Sequence, residues 1–253
     1  MKRRQFLQLS ALATTSLLFG QTTAEAASVK CPILMYHYVS PIPDDANEYL
    51  KDLAVHPDHF TEHCRWLVEN GFVSVTMAQL YDNLVNGTPL PENPVVLTFD
   101  DGYWDAFAYA TPILQQFGMV GTFFIVPGYM EAPGHLTWDQ AAAMLGAGME
   151  IENHSMNHQR LSGRTMEFLL EEVGVAADTI EAVLGKRPRF FCYPFGRYDD
   201  FAVNAVRDTG HLMAVTTQDG TLMYSTNMYR LRRVRIRGWT NTGTLRWLVN
   251  RKI

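Results

Sequence analysis

One unit recurs along this chain: a short apolar run rich in β-branched and aromatic residues, closing on a polar residue and followed by a stretch with helical spacing. Such runs lie at 32–37, 72–75, 95–99, 121–126, 149–153, 190–193, 212–216 and 231–236. Helical patterns occupy 58–69, 77–84, 104–117, 138–145, 165–184, 200–209 and 242–250. Strands that read as near-continuous apolar runs are buried on both faces, and strand–helix–strand order at this spacing joins parallel neighbours. The fold class is therefore α/β, with a parallel sheet either closed as a barrel or doubly wound. The barrel is favoured because residues able to do chemistry follow positions 36, 99, 153 and 193, the ends of four different strand candidates. The βα loops of a closed sheet gather such ends at one rim.

The sharpest of these ends is Val95–Gly102, where the run Val95-Val96-Leu97-Thr98-Phe99 delivers Asp100, Asp101 and a glycine. Adjacent ionised carboxylates repel, so the pair asks for a cation or a basic partner. About fifty residues on, His154 and His158 stand in HxxxH spacing behind the next-but-one strand candidate. One carboxylate and two imidazoles suit a divalent ion with a coordination position left for water. An Asp-Asp pair alone is more often a turn or helix-start feature; the strand context and the paired histidines reverse that reading. A second HxxxH, His59 and His63 beside His56, falls on an amphipathic helix with no strand-end carboxylate nearby and reads as surface histidines.

At 253 residues, without repeats or low-complexity tracts, the chain suits one large domain. Its start is different in character: Lys2-Arg3-Arg4 precedes Gln5-Phe6-Leu7, then a small-residue apolar segment to about Gly20 and Ala24-Glu25-Ala26. Residues 1–26 read as an export signal of twin-arginine type, cleaved after Ala26, leaving 27–253 as an exported periplasmic or extracellular domain with no stable membrane span. An uncleaved anchor is the alternative. Losing Lys2, Arg3, Arg4 and Glu25 moves the net charge from −5 to about −7, which argues against nucleic acid as a partner. Basic residues crowd the end instead, from Arg230 to Lys252, as expected of a C-terminal element docking on an acidic body. Three cysteines, Cys31, Cys64 and Cys192, permit one disulfide at most, and three buried thiols are as plausible as a Cys31–Cys64 link. The aromatic residues Trp104, Trp138 and Trp239 read first as packing anchors.

Taken together, Thr98-Phe99-Asp100-Asp101-Gly102, His154-Ser155-Met156-Asn157-His158 and Tyr193-Pro194-Phe195-Gly196 resemble the NodB-homology polysaccharide deacetylases, carbohydrate esterase family 4. The resemblance runs from about Cys31 to Ile236. It implies a distorted (β/α) barrel of about seven parallel strands and metal-assisted hydrolysis of an N-acetyl group on an amino sugar. Position by position, it makes Asp101, His154 and His158 the metal ligands, Asp100 the general base and the Phe195 backbone N–H the oxyanion donor, with Tyr193 and Phe195 touching substrate. No histidine stands where many relatives carry their C-terminal acid, and His211 lacks the surrounding pattern. Leu34-Met35-Tyr36-His37 instead resembles the permuted subgroup that includes poly-N-acetylglucosamine deacetylases, which implies His37 as the acid. Cys192 occupies the position of the arginine that usually pairs with the base, so Arg233, then Arg189, are the candidates to orient Asp100. The donor set suits Zn²⁺ first, with Co²⁺, Ni²⁺ or Fe²⁺ also compatible.

The expected partner is thus an N-acetylated polysaccharide or oligosaccharide, its identity set by loops such as Asp44 to Val55 and Gly128 to Leu136. A pseudo-enzyme that binds glycans without turnover, or an esterase removing O-acetyl groups, would share the same strands.

Overall fold

A computed structural model describes residues 27–253; the signal reading of residues 1–26 lies outside the described residues. Seven strands form the ring: β1 (Ile33–Tyr36), β2 (Pro94–Phe99), β3 (Thr122–Ile125), β4 (Glu150–Asn153), β5 (Phe190–Cys192), β6 (Met213–Asp219) and β7 (Leu231–Arg235). Each is parallel to its neighbour in sequence order, and β7 pairs with β1 to close the barrel. The expected barrel is the observed one. In the β1–β2 register Ile33 lies beside Val96 and Tyr36 beside Phe99, so His37 and Asp100 leave their strands side by side.

One expected strand shrinks. The run at 72–75 forms a two-residue stub, Val73–Ser74, on the first residues of β2 and outside the ring, because from Thr98 onward that edge of β2 is taken by β3.

The period-two alternation of strand side chains divides the molecule into layers. Ile33, Val96, Phe124, Phe190, Cys192, Met213, Val215 and Leu231 fill the barrel. Their neighbours Leu34, Tyr36, Leu97, Phe99, Phe123, Ile151 and Val234 pack outward under helices α2 (Pro57–Glu69), α5 (Trp138–Gly146) and α9 (Thr242–Asn250). α1 (Glu48–Leu53) forms within the expected 44–55 loop. Helix α3 (Met77–Asn86) inserts Met77, Leu80 and Leu84 beneath the interior cluster. Its amino end is tied to the ring by Glu150, whose carboxylate accepts from the Met77 N–H at 2.8 Å, the Ala78 N–H at 3.2 Å and the Thr122 hydroxyl at 2.7 Å. With Thr76 taking the Gln79 amide, the first-turn donors that a helix leaves open are met by side chains.

α4 (Thr111–Gln116) is preceded by a π-turn over Ala106–Ala110, and the long helix expected at 165–184 runs unbroken as α6 (Met166–Leu170) and α7 (Ala176–Leu184), continuous through a π-turn at Glu171–Val175. α8 (Asp200–Asp208) covers Phe191 and Ala214.

Several expectations change here. Cys31, Cys64 and Cys192 are all free and buried, Cys31 inside the barrel and Cys64 in the outer layer, so the alternative Cys31–Cys64 link is not formed. His63 is not a surface histidine: its ring lies under the β7–α9 connection, with Nε2 at 2.8 Å from the Thr240 carbonyl and Nδ1 at 3.2 Å from the Tyr36 hydroxyl. Trp138 packs against the core, whereas Trp104, edge-on to Tyr109, and Trp239, under the Arg237 guanidinium, are exposed. The basic C-terminal residues do dock on acids: Arg251 forks onto Asp219, Arg237 onto Asp52, and Arg230 reaches Asp200. No helix among the described residues is long and apolar enough to cross a membrane.

Candidate active site

Residues just beyond β1, β2, β4 and β5 meet with β7 side chains in a cavity of about 230 Å³ lined by His37, Asp100, Asp101, His154, His158 and Arg235, among others. The strand ends that the sequence singled out therefore share one rim. Asp101 Oδ1 lies 3.3 Å from His154 Nε2 and 3.2 Å from His158 Nε2. One ligand atom from each of these three residues falls within 4.8 Å of the others. His154 Nδ1 stands 2.7 Å from the Cys192 carbonyl, which can only accept, so that nitrogen carries the proton and Nε2 presents its lone pair to the cavity. A carboxylate, an imidazole held in its ligating tautomer and a second imidazole fit a divalent cation.

Asp100 is held apart from this trio. Arg233 donates to both its oxygens at 2.7 Å, and the same guanidinium reaches Thr98 Oγ1 at 3.0 Å, Cys192 Sγ at 3.2 Å and the Thr216 carbonyl at 2.9 Å. All five N–H donors of a fully buried arginine thus have acceptors, which is what burying that charge requires. Burial by itself would raise the Asp100 pKa; the Arg233 charge and hydrogen bonds outweigh it and hold the carboxyl below its ordinary value. Asp100, His154 and Cys192 also form a compact trio. Its chemistry is poorer: both Asp100 oxygens are engaged, and burial raises the Cys192 thiol and keeps it protonated.

Arg189, the other candidate to orient the base, does not reach it. Its side chain lies over the Phe190 ring, 5.2 Å from the centroid, and its N–H is bound by Glu152 at the start of β5. An arginine entering a strand sits at the opposite end of the barrel from one placed midway along β7.

Phe195 lies in a turn where the Gly196 amide bonds Tyr193 and the Arg197 amide bonds Pro194. Its own φ is 58°, and Gly196 follows at +62° with Thr217 Oγ1 only 2.0 Å from where a Cβ would stand, so the turn admits glycine alone. Asp101, Ser155 and His158 also adopt positive φ, at 75°, 67° and 53°. Such backbone costs roughly 1–3 kcal/mol per residue and gathers where a site over-determines it. The Phe195 ring is exposed over His158, with centroids 4.4 Å apart. Tyr193 lines the cavity, with its ring buried against Tyr198 and its hydroxyl donating to the Tyr229 carbonyl at 3.1 Å. His37 opens onto the cavity with Nδ1 unpartnered, and burial, the largest influence on it, lowers its pKa. His211 is remote, buried between Asn153 and Thr209.

Tyr49, Thr217 and Arg235 also line the cavity without having been singled out. Arg235 was within reach of sequence reasoning, since Leu231, Arg233 and Arg235 share one face of a strand. Tyr49 comes from α1, inside a segment expected to be loop.

A closed parallel barrel bearing an acid pair and two imidazoles at the carboxyl ends of its strands has the rim and the donor set of a barrel enzyme suited to metal-assisted hydrolysis. The comparisons specify it. The family model for polysaccharide deacetylase matches residues 87–214. The putative polysaccharide deacetylase YxkH of Bacillus subtilis (strain 168) is 33% identical over 207 residues, 82% of this chain and 71% of that protein. The poly-β-1,6-N-acetyl-D-glucosamine N-deacetylase of Escherichia coli (strain K12) is 25% identical over 66% of this chain, a match spanning only 31% of that longer protein. Among solved structures, the Streptococcus pyogenes deacetylase PplD in complex with acetate superposes with a TM-score of 0.82 at 26% identity, covering 89% of this chain and 100% of that one. The chain belongs to the polysaccharide deacetylase family, hydrolases that act on amide bonds.

Proposed function

We propose that this protein removes N-acetyl groups from an N-acetylglucosamine-containing polysaccharide, using a divalent ion, Zn²⁺ in the first place, held by Asp101, His154 and His158. The observation that carries the reading is the division of labour in the acid pair: Asp101 turns to two imidazoles, while Asp100 is clamped by Arg233. An ion bound there polarises the acetyl carbonyl and brings the pKa of water from about 15.7 toward ~7.

The residues of the chain do the rest. Asp100, ionised and fixed in orientation, takes the proton of the attacking water. The Phe195 N–H donates to the carbonyl oxygen as it gains charge, a contact of a kind worth roughly 3 kcal/mol in the transition state. His37, which opens onto the cavity with Nδ1 unpartnered, protonates the departing amine. The relatives in Escherichia coli and Staphylococcus epidermidis, both poly-β-1,6-N-acetyl-D-glucosamine N-deacetylases, support an N-acetylglucosamine polymer as substrate. Residues 1–26 are proposed as the cleaved twin-arginine signal of a domain spanning 27–253 that works outside the cytoplasm.

The test is release of acetate and free amine from chitin-type oligomers and partially acetylated glucosamine polymers, with and without a chelator. The reading requires release that the chelator stops and that Asp100→Asn abolishes while the protein keeps its ion. Absence of release from every acetamido sugar, with acetyl esters cleaved instead, would replace it by O-acetyl esterase activity.

A further inference from the structure

His154 and His158 are joined by only three residues, Ser155, Met156 and Asn157, and the backbone is left-handed at Ser155 (φ 67°) and again at His158 (φ 53°). A residue with a Cβ enters that region at a cost, so groups outside this short arc must hold it there.

Those groups can be named. On one side, the Gly128 N–H donates to the Met156 carbonyl at 2.9 Å, and a Cβ on Gly128 would stand 2.6 Å from that oxygen and 2.8 Å from Asn157 Oδ1. On the other side lies Glu172. Its backbone carbonyl accepts from the Met156 N–H at 2.8 Å, and its carboxylate takes both donors of Asn157, the backbone N–H at 3.0 Å and the side-chain amide at 2.9 Å. Asn153 completes the set: its Oδ1 accepts from the Ser155 N–H at 2.9 Å while its Nδ2 donates to the Val173 carbonyl, also at 2.9 Å. Every backbone N–H between the two imidazoles thus has an acceptor, and two of the three acceptors belong to Glu172.

Glu172 sits in the π-turn between α6 and α7, 4% exposed and outside the lining of the catalytic cavity. A buried carboxylate is costly unless hydrogen bonds replace the water it has lost, and both oxygens of this one go to Asn157. The turn itself departs from the i→i+4 ladder, an irregularity that gathers at functional sites. Here its carbonyls at Glu172 and Val173 receive donors from the segment that carries the histidines. Gly174 lets the turn seat closely, since a Cβ there would stand 3.2 Å from Thr209 Cγ2 at the end of α8. The grip on the arc is therefore anchored in helix packing and not in the cavity wall.

We propose that Glu172 is a positioning residue for the ion site: by gripping Met156 and Asn157 it fixes the arc from His154 to His158, and so sets how tightly the two imidazoles and Asp101 hold a divalent cation. This deepens the proposed function and rests on its ion site, though not on the identity of the sugar.

Protein stripped by chelator is titrated with Zn²⁺ against a chromophoric chelator and with Co²⁺ by visible absorption, and thermal unfolding of the stripped form is read alongside. Glu172→Ala should weaken Zn²⁺ binding about tenfold, as for groups that hold a ligand from behind, and alter the Co²⁺ spectrum. Glu172→Gln keeps one acceptor oxygen for Asn157 and should recover part of the affinity. Glu150→Ala removes a similarly buried carboxylate at the start of β4; it should lower the unfolding midpoint yet keep the parent's affinity and spectrum, so lost stability alone does not imitate the effect. If Glu172→Ala does not fold, Asn157→Ala, a substitution at an exposed residue, joins Glu172→Gln and should likewise weaken Zn²⁺ binding and alter the spectrum. Folded variants that bind Zn²⁺ as tightly as the parent, with an unchanged Co²⁺ spectrum, overturn the positioning role and leave the ion site standing. A parent that takes up neither ion, behaving like His158→Ala, overturns the ion site and the positioning role with it.

Discussion

Asp100 and Arg233 show how one residue's role is set by another fixed across the barrel. Removing one partner of a buried ion pair strands the other charge, at a cost of about 3–5 kcal/mol. Arg233→Leu and Asp100→Asn are therefore both expected to lower the unfolding midpoint, Arg233→Leu abolishing acetate release as well, and Asp100→Asn should cost far more in kcat than in ion affinity. The loss in kcat expected for a general base is about 10²–10⁴-fold. Thermal unfolding and ion titration of the two variants separate these effects. His63 supplies a pH dependence at the same scale. Burial lowers its pKa to about 4, with the Thr240 carbonyl opposing only in part. A lowered folded pKa means that its stabilising contribution is complete above the unfolded value near 6.5 and is lost as pH falls through about 4. His211, buried with a pKa also near 4, behaves alike. Each should remove on the order of 3 kcal/mol across that window. Denaturant unfolding at pH 7 and pH 4.5 should show His63→Gln losing less stability on acidification than the parent; an unchanged slope would contradict the assignment.

At the scale of elements, Glu150 ties β4 to the first turn of α3 with no part in the chemistry. Glu150→Ala should lower stability by about 2–3 kcal/mol, through a lost helix cap and an orphaned Thr122 hydroxyl, while ion affinity stays as it was. Calorimetry with ion titration checks both halves. Elements carrying period-two or helical patterning were legible: β2, β4 and β7 lie within a residue or two of their expected bounds, and α9 spans the expected 242–250. That Asp101, His154 and His158 come together was legible because strand ends and the HxxxH spacing place those side chains locally. What escaped depends on distant contacts. α1 is six residues held by the loop after β7, too short to announce itself by periodicity, and with it went Tyr49. The choice of Arg233 over Arg189 turns on depth along a strand, which spacing alone leaves open. His63 misled because an amphipathic pattern does not reveal that Tyr36 and Thr240 satisfy both ring nitrogens.

The whole molecule makes one cavity from strands far apart in sequence, and closure of the ring by β7 against β1 brings Arg233 to Asp100. A ligand that binds only the folded barrel stabilises all of it. A divalent ion at 100 times its dissociation constant should add about 2.7 kcal/mol to unfolding, and His158→Ala should abolish that gain. The most direct measurement combines ion content with turnover: purified protein, stripped by chelator and reloaded with Zn²⁺, is assayed for acetate release from N-acetylglucosamine oligomers beside Asp101→Asn and His158→Ala. One ion per chain restoring release, with both variants failing to retain it, is the predicted result. Undiminished acetate release from stripped protein, or from variants that hold no ion, would contradict the account.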